Sequence, residues 1–351
     1  MKALVLMKDK MLEYKDVPDP VRPGPDWALV KVAYSGICNS DLHRGFEGAA
    51  YHYPLIMGHE FSGVVEEPAL STPLPGDPRF PAGTNVVAFP LIPCRRCTPC
   101  QTGDYAQCVD YDYLGSRRDG AFAERVWVPE ANLLAVPQGV SLQDASLTEP
   151  CTVALHGVNK LTVAPGDFGA VFGAGPIGNM AAQWMRLRGC RRVFIVDIDD
   201  RKLALAREMG FFPVDARAGD PVARIRQETG GAGADRVVEA IGLPLTFLQA
   251  VQCGARFGEV VFLGNIRGSF QIDEKDFSSI LRRELTIKGT WTSRVVPEAR
   301  NDWTNVLSSF KDSRIDVTRL VSHTPPLSEG VDVFARVLGR KESFNKVVFI
   351  P

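Results

Sequence analysis

Four cysteines, Cys94, Cys97, Cys100 and Cys108, fall within fifteen residues, and the first three are separated by gaps of two. Gaps of that length let neighbouring thiolates converge on one tetrahedral zinc ion. A four-thiolate site is closed, with no position left for water or substrate, so this metal should hold a lobe together and stay out of turnover. The other use of clustered cysteines is a disulfide framework, which belongs to secreted chains. Against it, the opening MKALVLMKDK carries Lys8 and no apolar run of signal-peptide length. The expectation is a reducing cytoplasm, with Cys190 and Cys253 as small buried apolar side chains.

A second signal, Gly173-Ala174-Gly175-Pro176-Ile177-Gly178, has the spacing of a dinucleotide-binding turn. Its setting carries as much weight as its spacing. Ala170-Val171-Phe172 reads as the preceding strand and Ile177 to Leu187 as the following helix, while RRVFIVD reads as a second strand ending in Asp197, nineteen residues after Gly178. On this reading Gly173 permits the tight turn, Gly175 lets a pyrophosphate reach the backbone, and Gly178 lets helix and strand pack closely. The helix N-terminus, with Pro176 and Ile177 in its first turn, faces the phosphates. Asp197 would accept hydrogen bonds from the adenosine ribose hydroxyls and repel a 2′-phosphate, which favours NAD over NADP. Arg201 is a nearby base that would soften the preference.

These groups need a scaffold, and the chain has two textures. From Met1 to Thr152 the apolar runs are short and punctuated by Pro and Gly: ALVLM, WALVKVAY, FSGVVEE, NVVAF, FAERVWV and NLLAV. That pattern predicts a β-rich, barrel-like domain over 1–152, with the zinc loop 94–108 as an exposed knuckle and a proline-rich surface loop from Pro68 to Pro81. From Val153, strand-like and helix-like runs alternate, as in GAVFGAG, NMAAQWMRLRG, RVFIVDI and DRKLALAREMG. Alternation of this kind predicts βαβ units, hence an α/β Rossmann-type doubly wound parallel sheet over 153–293. The rhythm stops near Ser293, so 294–351, with helices at Trp303–Phe310 and Val331–Val337 and the strand KVVFI, should return to the first domain.

Composition bounds the function. The chain has 351 residues, 45% hydrophobic and 23% charged, which is an ordinary globular balance with room for two domains. A formal net charge of −1 without a long basic run argues against general affinity for nucleic acid or anionic membrane. The longest apolar stretches are strand-sized, so no membrane span is expected.

Cys38, His59-Glu60 and Glu149 stand apart from the knuckle. Singly they are a thiol, a histidine and carboxylates with ordinary structural uses. Together they offer three ligand types suited to an open zinc site, where one position stays free for water or substrate. At this point the motifs match a family. Gly36-Ile37-Cys38-Asn39-Ser40-Asp41, Gly58-His59-Glu60-Phe61-Ser62-Gly63, the four-cysteine loop, Glu149-Pro150 and GAGPIG occur in the order and spacing of the zinc-dependent medium-chain dehydrogenases. The resemblance spans the whole chain and implies a GroES-like catalytic domain beside the Rossmann domain. Tyr53-Pro54, YDYLGSRRDGAFAE and ILRRELTIKGTW resemble the polyol branch, which includes sorbitol and threonine dehydrogenases, and within it the galactitol-1-phosphate-type enzymes.

The resemblance implies two zinc ions per chain, one held by the knuckle and a catalytic one held by Cys38, His59 and Glu149. Glu60 is either a direct ligand or exchanges with water, and Cys151 is a competing ligand on distance in sequence. It further implies that Ser40 receives the alcohol proton, that His43 passes it on, that Asp41 orients His59, and that Lys346 reaches the cofactor pyrophosphate. His52, His156 and His323 are read as structural. Arg44, Arg117 and Arg118 are the candidates for a substrate phosphate, because guanidinium forks suit phosphate oxygens. The chain departs from the usual pattern at Asn39, where relatives carry Gly, and at Ala82-Gly83-Thr84-Asn85-Val86, where they carry a compact Gly-Asp-Arg-Val turn. The expected activity is hydride transfer between NAD and a polyol or sugar-alcohol phosphate, with a homodimer or homotetramer assembled through the strand near Trp291. An unphosphorylated polyol, a vicinal diol or L-threonine is the alternative substrate. A zinc-ribbon binding protein with a nucleotide-sensing domain is the remote alternative.

Overall fold

Trp27–Gly36 is the central strand of the amino-terminal half, since its run of apolar residues buries Ala28, Val30 and Val32 while its backbone pairs on both edges. It pairs antiparallel with Glu60–Glu67, Arg125–Pro129 and Lys346–Phe349. In space the sheet runs Leu133–Ala135, Asn85–Ala88, Glu60–Glu67, Trp27–Gly36, Lys346–Phe349, Val321–His323. The computed structural model describes residues 1–8, 11–71, 80–295, 301–339 and 342–351. Its two compact units are Met1–Glu149 with Arg294–Pro351, and Pro150–Ser293. The first division falls between Glu149 and Pro150, just ahead of Thr152. The carboxyl-terminal strand belongs to the first unit through Val348 opposite Gly36 and Phe349 opposite Ser35. Most of the proline-rich segment, 72–79, lies outside the described residues.

Several apolar clusters fill this unit. One gathers Leu4, Leu6, Leu55, Met57, Phe122, Phe334 and Phe349, with the Phe122 and Phe349 rings edge-on at 5.4 Å. Another gathers Val30, Phe61, Val86 and Val126, and a further one packs Val87, Phe89 and Leu91 with Trp303 and Leu307. Sequence reading overlooked the helix Asn39–Phe46, because NSDLHRGF is short and polar, with only Leu42 and Phe46 as large apolar side chains. Its start is set by capping instead: the Cys38 thiol accepts from Ser40 N, and the Cys38 N–H donates to Asp41 Oδ2 at 2.9 Å.

The second unit holds a six-stranded parallel sheet in the order Phe212–Asp215, Arg192–Asp197, Phe168–Phe172, Ala234–Glu239, Gly254–Phe262, Thr286–Gly289. Strand order reverses beside Phe168–Phe172, which is where a doubly wound sheet opens a crevice at its carboxyl ends. The helices Pro221–Glu228 and Pro244–Cys253, also overlooked in sequence, each begin with proline at the first helical turn and complete the βαβ pattern. Among the described residues no helix is long and apolar enough to cross a membrane.

Candidate active site and metal centres

Strand register builds the first site. Gly36 lies directly opposite Glu60 on one side and Val348 on the other. That places Cys38, two residues beyond Gly36, near His59 and Glu60, and the donor atoms of Cys38, His59 and Glu60 lie within 4.8 Å of one another. His59 and Glu60 are buried. Asp41, fully buried, links the group. Its Oδ2 accepts the Cys38 N–H, and its Oδ1 lies 3.1 Å from Arg44 Nη1 and 3.5 Å from His59 Nδ1. Burial alone would raise the Asp41 carboxyl, yet the charges of His59 and Arg44 and the Cys38 N–H hold it below its ordinary value. Burial opposes a charged His59, but Asp41 raises its imidazole well above the usual range.

Glu149 stands beside this group in the first turn of the helix Thr148–Asn159. It is outside the trio gathered within 4.8 Å, and Tyr113 donates its hydroxyl to Glu149 Oε1 at 3.4 Å. Burial pushes its carboxyl up to about 7 against the pull of His59, so the protein's fixed charges leave it short of compensation. A partly buried thiol with a buried imidazole and buried carboxylates that lack sufficient positive charge fits a divalent cation. Sequence reading did not single out Tyr113, whose ring meets His59 edge-on at 5.8 Å and whose burial raises its phenol far above the ordinary range. Its spacing from Tyr111 in YDYLG was the available signal, since residues two apart on an extended segment share a face.

Lys346 lies against Glu60. The ammonium is buried, donates to Ile37 O at 2.9 Å and forms an ion pair with Glu60 Oε2. Antiparallel pairing across Gly36 brings these two side chains together, and a Cβ on Gly36 would come within 2.5 Å of Glu60 Oε2 and 3.0 Å of Lys346 Cε. A side chain at Gly36 would therefore have to displace this ion pair. Burial would lower the Lys346 ammonium, but Glu60 and Cys38 hold it above its ordinary value.

The knuckle closes within a few residues of chain. Sulfur atoms of Cys94, Cys97, Cys100 and Cys108 lie within 4.8 Å of one another, and all eight cysteines are free, which removes the disulfide reading. Backbone N–H groups of Arg96 and Cys97 lower the Cys94 thiol to about 6, whereas burial pushes Cys100 up to about 12. Thiolates cradled by backbone donors suit a structural zinc. Cys151 takes no part in either cluster, being buried in the second unit with its thiol pushed up to about 12.

In the second unit, Gly173 has φ +112, and a Cβ on Gly178 would meet Gly173 O at 1.8 Å. A Cβ on Gly175 would meet nothing within 4 Å, so its smallness leaves space above the turn rather than serving a protein contact. The helix Pro176–Arg188 starts there with Pro176 at its first position and Ile177 next. Asp197, at the end of Arg192–Asp197, accepts from Ala174 N at 2.7 Å, Ile198 N at 2.7 Å and Asp199 N at 3.0 Å. This fits a dinucleotide: a free helix N-terminus with a carboxylate fixed beside it.

The remaining candidates separate. Ser40 Oγ accepts from Arg44 Nη1 at 3.0 Å, and His43 pairs through Nδ1 with Glu47. Arg44 is thus committed to Ser40 and Asp41. Arg118 is paired with Asp112 and lies over the Trp27 ring at 5.3 Å. Arg117 meets no carboxylate among the described residues. The ring nitrogens of His52 lie 3.0 Å from Pro54 O and 3.2 Å from Arg117 O.

Comparison with known proteins matches residues 24–138 to the alcohol dehydrogenase GroES-like domain and residues 176–312 to the zinc-binding dehydrogenase domain. The chain is 31% identical to galactitol 1-phosphate 5-dehydrogenase of Escherichia coli (strain K12), over 100% of both chains. Among solved structures, galactitol-1-phosphate dehydrogenase from Escherichia coli superposes with a TM-score of 0.92 at 29% identity, covering 100% of both chains. A zinc-binding dehydrogenase from Sinorhizobium meliloti bound to NADP superposes with a TM-score of 0.89 at 30% identity, covering 100% of this chain and 99% of that one.

Proposed function

Since the chain belongs to the zinc-dependent alcohol and polyol dehydrogenases, we propose that it moves a hydride between NAD and a secondary alcohol of a polyol or sugar-alcohol phosphate. The convergence of Cys38, His59 and Glu60 around buried Asp41, with Glu149 alongside, carries this reading. Cys38, His59 and Glu149 would hold the catalytic zinc, and Cys94, Cys97, Cys100 and Cys108 the structural one. Bound at these places, zinc would supply Lewis-acid polarisation of the alcohol oxygen, and NAD would supply the hydride acceptor.

The chain's own residues do the rest. Asp41 fixes Cys38 through its N–H and faces His59 Nδ1, so one carboxylate orients two ligands. Lys346 pairs with Glu60 Oε2 and so competes with a metal for that carboxylate, which supports exchange at the metal instead of permanent ligation. Arg44 occupies one acceptor position of Ser40 Oγ and leaves the other to accept the alcohol proton, while Ser40 gives up its own hydroxyl proton toward His43, which passes a proton on to solvent. In the second unit Gly173, Gly175 and Gly178 shape the pyrophosphate turn, and Asp197 takes the ribose hydroxyls.

A homodimer or homotetramer is supported by the exposed Phe277, Leu281, Ile287 and Trp291 around the edge strand Thr286–Gly289. A cytoplasmic location fits the free cysteines. The test is zinc content together with initial rates on a panel of polyols, diols, L-threonine and polyol phosphates with NAD and NADP. Two zincs per chain and NAD reduction by polyols support the proposal. A single zinc, or a fully loaded protein that reduces no NAD with any of them, overturns it.

A further inference from the structure

We infer that Arg117, clamped between Tyr51 and Tyr111, is the receptor for a terminal oxyanion of the substrate, a phosphate ester or carboxylate on the polyol away from the reacting carbinol. The inference rests on the polyol dehydrogenase reading above and adds the charge of the substrate and the residue that selects it. The Arg117 guanidinium carbon lies 4.2 Å from the Tyr111 ring centroid and 4.8 Å from that of Tyr51. Nη1 donates to Tyr111 O at 2.9 Å, but Nε is buried with no hydrogen-bond partner. No carboxylate balances the charge among the described residues, unlike Arg44 and Arg118. A cation stripped of part of its water and left with an unused donor gains most from an anion that supplies both charge and acceptors. The two rings cover the faces of the guanidinium, so an anion that enters meets its edge, the geometry that phosphate and carboxylate oxygens match.

The position is tied to the active site. The Tyr111 ring meets Tyr113 edge-on at 6.4 Å, and Tyr113 meets His59 at 5.8 Å. The loop that carries Arg117 is folded onto the residue before His59: a Cβ on Gly120 would come within 2.1 Å of Gly58 O, and one on Gly115 within 2.5 Å. Tyr113 O accepts the N–H groups of Arg117 at 2.9 Å and Arg118 at 3.1 Å, which fixes the turn. Tyr51 is 63% exposed, so it is the wall that can swing to admit an anion.

The experiment compares kcat/KM with NAD for a hexitol, its 1-phosphate and the matching aldonate, in the wild type, Arg117→Met, Arg117→Lys, Arg118→Met and Tyr51→Ala. The wild type should favour at least one anionic substrate. Arg117→Met should lower the anionic-to-neutral ratio by about 30- to 100-fold, Arg117→Lys and Tyr51→Ala should lower it partway, and Arg118→Met should leave it within about threefold. Whichever anion loses its advantage identifies the source of the oxyanion. Inorganic phosphate should compete with the anionic substrate in the wild type and lose that effect in Arg117→Met. Equal losses on charged and neutral substrates, or an unchanged ratio in Arg117→Met, overturn the inference. A wild type that oxidises neutral hexitols without favouring an anion sinks the inference alone, whereas one that oxidises no polyol sinks the dehydrogenase reading itself. Should Arg117→Met fail to fold, Tyr51→Ala and phosphate competition decide.

Discussion

Replacing Asp197 with serine tests the cofactor site most directly. The carboxylate is held rigid by the Ala174, Ile198 and Asp199 N–H groups, so it meets ribose hydroxyls without paying to order itself. Two hydrogen bonds to a charged acceptor contribute about 1.5 kcal/mol each at the low end, so their loss costs about 3 kcal/mol, or roughly a hundredfold in kcat/KM for NAD. The same change relieves repulsion of a 2′-phosphate, which raises the NADP rate. On the neighbouring strand Asp215 lies opposite Asp197, and its partner Arg217 offers no rescue, because it is locked between Asp215 at 3.0 Å and Asp200. The wild type should therefore favour NAD by at least about tenfold, and Asp197→Ser should erase that margin. The assay is initial rates over both cofactors at saturating polyol, with thermal melting to confirm that the freed N–H groups have not unfolded the turn. A folded variant whose NAD efficiency falls by less than about threefold would refute the argument. A wild type equally active with NADP would do the same and would give the decision to Arg201.

Three other outcomes follow from separate parts of the structure. Cys38→Ala should lose one zinc and all activity yet stay soluble, whereas Cys97→Ala should aggregate, since a structural zinc is worth about 10 kcal/mol or more of folding free energy; equal solubility by size-exclusion chromatography contradicts this. Gly36→Ala forces a methyl against Glu60 and Lys346, so it should cost about 1–3 kcal/mol and most of the turnover, and an unchanged Tm and rate would show that the close approach is dispensable. Glu259 is raised by burial but held below its ordinary value by the Thr162 N–H and by Lys288 at 3.1 Å. A depressed carboxyl stabilises the fold above the ordinary carboxylate range and loses that contribution as pH falls through its folded value. Glu259→Gln should thus lower Tm by about 2–4 °C at neutral pH, with a deficit that shrinks below about pH 4; a deficit that grows in acid contradicts the linkage.

The local chemistry was legible from the residues alone. The cysteine knuckle closes over a fifteen-residue span and the dinucleotide turn over six, so spacing and backbone geometry within a few bonds decide them. Strand-helix alternation likewise announced the parallel sheet, because each period is set by its own segment. The helix Asn39–Phe46 was not legible, as its start depends on a cysteine cap rather than on apolar rhythm. Nor was the fate of neighbouring arginines. Arg117 lies between two tyrosine rings and Arg118 against Asp112, because adjacent side chains leave the backbone in different directions and tertiary neighbours decide what each meets. Lys346 meets Glu60 from 286 residues away, through a register that pairs three strands across Gly36. The sequence by itself named the candidate ligand types, while the pairing of distant strands decided which of them come together, since that choice rests on contacts no short window contains.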